Sequence, residues 1–122
     1  MNIPTLLLGR ILLAVPFLVF GVMHFPGAAQ MSGMVPSWIP GGVLWVYLTG
    51  AAQIAAGIAF ITGKQARLAG LLTALMLFIF VVTIHVPGLS NPAMSQMAFM
   101  SILKDLGLAG GALLICHLAE SK

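Results

Sequence analysis

Residues 11–63 and 68–103 carry no aspartate, glutamate, lysine or arginine. Two uncharged runs of that length leave a water-soluble fold almost nothing with which to face solvent. The chain has seven charged side chains in all: Arg10, Lys64, Arg67, Lys104, Asp105, Glu120 and Lys122. Charged residues make up 6% of it and hydrophobic ones 61%, against roughly 25% charged in an ordinary soluble domain. A helix crosses about 30 Å of hydrocarbon with about 20 apolar residues, so 122 residues hold four spans, short loops and no soluble domain. The expected fold is all-α: one membrane domain over residues 1–122, a bundle of four transmembrane helices.

Proline, glycine and polar residues punctuate the runs and place the spans. The first is expected at 5–25, interrupted by Pro16 and closed by Pro26-Gly27. Pro16 removes a backbone donor and predicts a kink. The apolar start could pass for a signal peptide, but no cationic stretch precedes it, so it reads as a retained span. Residues 28–42, with Pro36, Pro40 and Trp38, read as the longer loop. A second span is expected at 43–62, where Ala51, Ala52, Ala55, Ala56, Gly57 and Ala59 offer a small-residue surface for burial in the bundle. A tight basic turn at 63–67 leads to a third span at 68–86, stopped by Pro87-Gly88. The fourth is expected at 98–117, with Gly107 and Gly111 as a further packing face.

Lysine and arginine are enriched in short cytoplasmic loops. Lys64 and Arg67 lie in the second loop and Lys122 at the C-terminal end, whereas the first and third loops are uncharged. Both termini are therefore expected in the cytoplasm, in a multi-pass protein of the cell's inner membrane. The net charge of +3 comes from scattered residues and makes no basic face for nucleic acid. A single cysteine, Cys116, excludes an internal disulfide and a CxxC redox pair. No flavin, haem or iron–sulfur motif appears.

Ionisable groups inside spans are costly and mark candidate sites. His24 closes the first span, His85 closes the third, and Lys104 and Asp105 enter the fourth about two turns from the same side. This predicts a small polar cavity opening toward the periplasmic or extracellular side. Adjacent helical residues point about 100° apart, so Lys104 and Asp105 are not expected to align as a pair; Arg10, His24 and His85 are the alternative partners for Asp105. The competing structural reading is a polar lock on helix register. Gln53, in mid-span, suits an interhelical hydrogen bond, and Trp38, Trp45 and Tyr47 an aromatic belt. His117 and Cys116 read as boundary and packing residues. Six methionines (Met23, Met31, Met34, Met94, Met97 and Met100) gather near the outer histidines, a donor set suited to Cu(I), although methionine is also an adaptable packing residue. A bis-histidine haem site at His24 and His85 is formally open.

Arg10 early in the first span, Gly21-Val22-Met23-His24-Phe25 at its exit and Val35-Pro36-Ser37-Trp38-Ile39-Pro40 in the loop form a recurring order. Gly50, Gln53 and Gly57 follow in the second span, then Arg67-Leu68-Ala69 after the basic turn, and His85 at the end of the third. In this order and spacing, over roughly residues 8–90, the chain resembles the DoxX-like small membrane proteins. The resemblance implies a four-helix membrane fold and association with quinone-, thiol- or sulfur-linked oxidoreductases, through a membrane or periplasmic partner. The chain departs from the family pattern at Gln53, where glutamate is frequent, and at His24, where lysine is frequent. The expected function is thus a membrane subunit or anchor of an oxidoreductase, with His24 and His85 donating to a quinone carbonyl and Asp105 accepting a proton. The alternatives are a non-enzymatic scaffold or assembly factor, alone or as a homo-oligomer, and a carrier for a small solute or copper.

Overall fold

In a computed structural model the described residues run from Ile3 to Glu120, the last by its backbone alone; the reading attached to Lys122 lies outside them. All regular structure among them is helical. Four helices, α1 (Thr5–Met23), α2 (Val43–Thr62), α3 (Ala66–Gly88) and α4 (Ser95 onward), are each long and apolar enough to cross a membrane. They alternate in direction, so α1 begins and α4 finishes at one end, here the terminal end, with the turn between α2 and α3. The loops after α1 and α3 lie at the distal end. The first of these loops is not wholly irregular: Ala28–Met31 forms a turn of α-helix and Ser32–Met34 a turn of 3-10 helix.

Each helix buries one stripe. On α1 the stripe is Ala14, Phe17 and Gly21, on α2 Val46, Gly50, Gln53, Gly57 and Phe60, on α3 Ala66, Gly70, Thr73 and Leu77. These follow the three- and four-residue steps of a single helix face. On α4 Ala98, Asp105 and Ala112 are buried, a strict seven-residue step that puts the acid on the inward seam. The outward faces are apolar: Leu12 is 70% exposed, Leu114 65% and Phe78 59%. A belt of this kind on all four helices far exceeds the apolar patches of a few hundred Å² that soluble proteins display, and its natural solvent is lipid.

The helices pack as two hairpins, α1 on α2 and α3 on α4. Close approach requires glycine. A Cβ on Gly50 would sit 2.6 Å from Cβ of His24, and one on Gly70 would overlap the Ala112 carbonyl oxygen. The hairpins meet mainly in the terminal half, where Ala14, Phe17, Ala56, Phe60, Leu77, Ala112 and Ile115 form the core. There the rings of Phe17 and Phe60 pack edge to face at 5.8 Å. The distal half lacks such a core, and the hairpins part.

Three expectations change in the structure. The small face of α2 is only half used: Ala56 and Gly57 are buried, while Ala51, Ala52 and Ala55 look outward. On α4, Gly107 meets nothing within 4 Å and Gly111 meets Leu13, so the glycine pair is not a continuous packing face; the tight crossing uses Gly70 of α3 instead. Finally, α3 ends at Gly88, as expected of Pro87-Gly88, but it is not a regular α-helix up to that point. Because Pro87 has no N–H for the next rung of the ladder, the helix widens before it, and Val81–His85 forms a π turn. Pro16, by contrast, is carried within a continuous α1.

Candidate functional site

The parted hairpins enclose a cleft of about 650 Å³ in the distal half, walled by all four helices and by the loop after α1. Most of the wall is apolar or aromatic, including Phe17, Phe20, Leu77, Phe80 and Leu108. His24, Gln53, His85, Lys104 and Asp105 all reach it. Five of the six residues singled out in the sequence thus share one cavity.

The sixth does not. Arg10 lies on the same face of α1 as His24, but four turns away at the terminal end. Its Nε donates to the Phe60 carbonyl at 2.7 Å and a terminal nitrogen donates to the Ile61 carbonyl at 2.9 Å. Carbonyls in the last turn of a helix lack intrahelical partners, so Arg10 caps α2. Gly63, at φ +79°, ends that helix in the left-handed region with the guanidinium beside it. Pairing of Arg10 with Asp105 is excluded by this placement.

Asp105 is the most buried polar group of the cleft, its side chain 3% exposed. His85 Nε2 donates to its Oδ2 at 3.1 Å, and Lys104 Nζ stands 3.6 Å from its Oδ1. The second distance is an ion pair beyond hydrogen-bond length, which agrees with the divergence of neighbouring helical side chains. Lys104 curls back only far enough to bring its ammonium 4.6 Å from the centre of the Phe20 ring. That cation–π contact links α4 to α1 across the cleft. The π turn of α3 carries His85 to Asp105, so the helix irregularity lies at the polar centre.

His24 and Gln53 form the second polar group. Nδ1 of His24 is hydrogen-bonded to the Phe20 carbonyl, and Nε2 faces Gln53 Nε2 at 3.4 Å. A carbonyl only accepts, so this pattern assigns the hydrogen to Nδ1 and the lone pair to Nε2, toward which the Gln53 amide donates. Both nitrogens of His24 are engaged. Its expected role as a donor to a ligand is therefore corrected: His24 orients Gln53, and the amide's remaining hydrogen and oxygen are the groups available to a ligand.

The aromatic and sulfur residues divide. Trp45 lines the cleft, held by donation from Nε1 to the Pro40 carbonyl at 2.6 Å, while Trp38 is exposed and Tyr47 stacks on Phe25. Met23, Met31 and Met34 line the cleft; Met97 and Met100 are exposed on α4 and do not. No group of three or more His, Cys, Asp or Glu side chains converges among the described residues. Sequence reasoning missed Phe20, Thr49, Thr83 and Ser101, which also line the cavity. Phe20 had a signal, four residues before His24 on the same helix face; the hydroxyl residues had none.

Fold and site together define a class: a four-helix bundle of membrane-spanning character with an apolar cleft in which a buried aspartate, Asp105, is flanked by a half-buried histidine and an exposed lysine. The chain belongs to the family described as a domain of unknown function, DUF8561, whose model matches residues 13–108. That span includes every polar residue of the cleft and leaves Arg10 outside. No curated protein and no solved structure matches the chain.

Proposed function

We propose that this protein is a membrane subunit or anchor of an oxidoreductase system and that its cleft binds the head of a lipid-soluble quinone. The observation that carries the reading is the combination of an aromatic-walled cleft, within the size of small-molecule sites, with a few hydrogen-bond donors in its walls. The resemblance to DoxX-like proteins supports the same reading. Positive charge in the α2–α3 turn supports cytoplasmic termini in an inner membrane, with the cleft opening toward the outer side, where a periplasmic or membrane-bound partner would dock.

The donors suit carbonyl oxygens. Gln53 offers an amide hydrogen from α2 and Lys104 an ammonium from α4. The hydrogen between His85 Nε2 and Asp105 Oδ2 is held in the wall, near enough to the cleft to exchange with an oxygen bound there. Phe17, Phe20, Phe80 and Leu108 exclude water from the ring. A bound quinone supplies the two-electron acceptor chemistry that the chain's own side chains lack.

The test is saturable quenching of Trp45 by a short-tailed benzoquinone, in nanodiscs, with Trp38→Phe removing the other tryptophan. The expected result is saturation, with affinity weakened up to about tenfold by Gln53→Leu, the loss of about one hydrogen bond. Quenching that is linear in quinone and indifferent to Gln53 would reject the site. A second reading, a scaffold, draws on the exposed Ala51, Ala52 and Ala55 face of α2, which another helix could approach closely. It predicts a co-purifying partner chain or a homo-oligomer and no quinone.

A further inference from the structure

The cleft is not closed evenly. On the side between α1 and α4 it is bridged by Lys104 over Phe20 and, lower down, by Leu13 against Gly111. On the side between α2 and α3 its lining runs out onto the surface: Trp45 is 44% exposed, Leu72 53%, Leu75 55% and Ile79 48%. The walls also differ in length. Lining residues on α4 extend from Ser101 to Leu108 and on α1 from Phe17 to His24, but on α3 from Leu72 to His85. At 1.5 Å per residue the α3 wall is about 20 Å long and the other two about 10 Å. One side of the cavity therefore continues as an apolar track toward the terminal end, beyond the polar groups and on the lipid-facing surface.

We infer that the gap between α2 and α3 is a lateral portal through which an amphiphile with a single long hydrocarbon tail enters from the bilayer, its head beside Asp105 and its tail along Leu72, Leu75 and Ile79. The inference rests on the proposed head site and adds the class of ligand: one tail, linear or isoprenoid. Two-tailed phospholipids are poorly suited, because the track is a single helix face and its polar end lies inside the bundle. Ile79 and Leu75 stand one turn apart on that face, and Trp45, in the first turn of α2, marks the distal end of the cleft. The polar groups take an acceptor head, and the tail need never leave hydrocarbon. Access from lipid also lets Lys104 keep its contact with Phe20 while the ligand moves.

The experiment is photolabelling of the full-length protein in nanodiscs by a benzoquinone whose decyl tail ends in a diazirine, with adducts mapped by peptide mass spectrometry. The expected result is saturable labelling, competed by the untagged quinone and concentrated between Leu72 and Ile79, and shifted away from those residues by Leu75→Trp. Because that variant changes an exposed side chain, it tests the track without removing a core contact. Saturable, competed adducts on Met23 or Ser101 would overturn the portal while leaving the head site standing. Labelling that neither saturates nor responds to competitor would overturn both. Competition by a phospholipid as effective as that by the quinone would overturn the single-tail assignment.

Discussion

His85 on α3 and Asp105 on α4 meet at 3.1 Å, and the contact depends on an irregularity in one helix and a regularity in the other. The π turn Val81–His85 sets the position of the histidine. The seven-residue step from Ala98 through Asp105 to Ala112 sets that of the acid. Between them they give the α3–α4 hairpin a polar tie in the half of the molecule that has no packed aromatic core. Removing the acid leaves a donor without its acceptor, which costs about 1–3 kcal/mol. Asp105→Ala should therefore lower stability by that amount, while Asp105→Asn, which retains an acceptor oxygen for His85, should lose less. Thermal unfolding in mild detergent checks the order.

Glycine positions separate by what surrounds them. Gly70→Ala forces a methyl group into the Ala112 backbone and should destabilise the α3–α4 hairpin by about 1–3 kcal/mol, the range for overpacking. Gly107→Ala meets open space and should be neutral or stabilising by up to about 1 kcal/mol through helix propensity. If both variants behave alike in unfolding measurements, the crossing has been misplaced.

Arg10 should prove structural. Arg10→Ala removes two hydrogen bonds to the end of α2 and should cost about 1.5–3 kcal/mol, the range for bonds to a charged group. Arg10→Lys, which cannot reproduce the planar fork, should recover only part of it. Quinone affinity of the folded Arg10→Lys protein should match that of the wild type, as measured by Trp45 quenching.

Orientation has its own check. In a Cys116→Ala background, single cysteines at the exposed distal positions Ser37 and Ser90 should react with a membrane-impermeant maleimide added outside intact cells. A cysteine at Lys64, in the turn at the terminal end, should react only after permeabilisation. The reverse pattern would place the termini outside.

Spans and seams were legible in the sequence to different degrees. Proline- and glycine-rich breaks and the basic turn placed the second helix at 43–62, where α2 is found, and the others to within three residues. The inward placement of Asp105 was also readable, because an ionisable group within a span is costly unless it faces the bundle interior or a cavity. The convergence of His24, His85, Lys104 and Asp105 was legible because those residues lie at one depth in three spans, but the small polar cavity expected around them is instead a cleft of about 650 Å³ with mostly apolar walls. Arg10 was misassigned to it because pairing with Asp105 needed helix tilt to close an axial gap of about 21 Å between the Arg10 and His24 levels of α1, and Arg10 instead finds its partners on α2 at its own level. Gly107 and Gly70 could not be told apart either: small size permits close approach, but which glycine is used depends on helix rotation about the bundle. The π turn was not legible, because a proline near a helix end marks the end but not how the turns before it adjust.

The most direct measurement is quantitative mass spectrometry of quinone extracted from the protein purified in mild detergent, for the wild type and for His85→Ala. A quinone-binding cleft predicts quinone at a level comparable to the polypeptide in the wild type and its loss from a His85→Ala protein that remains folded. Wild-type protein carrying only bulk phospholipid, or quinone retained equally by the His85→Ala variant, would contradict it.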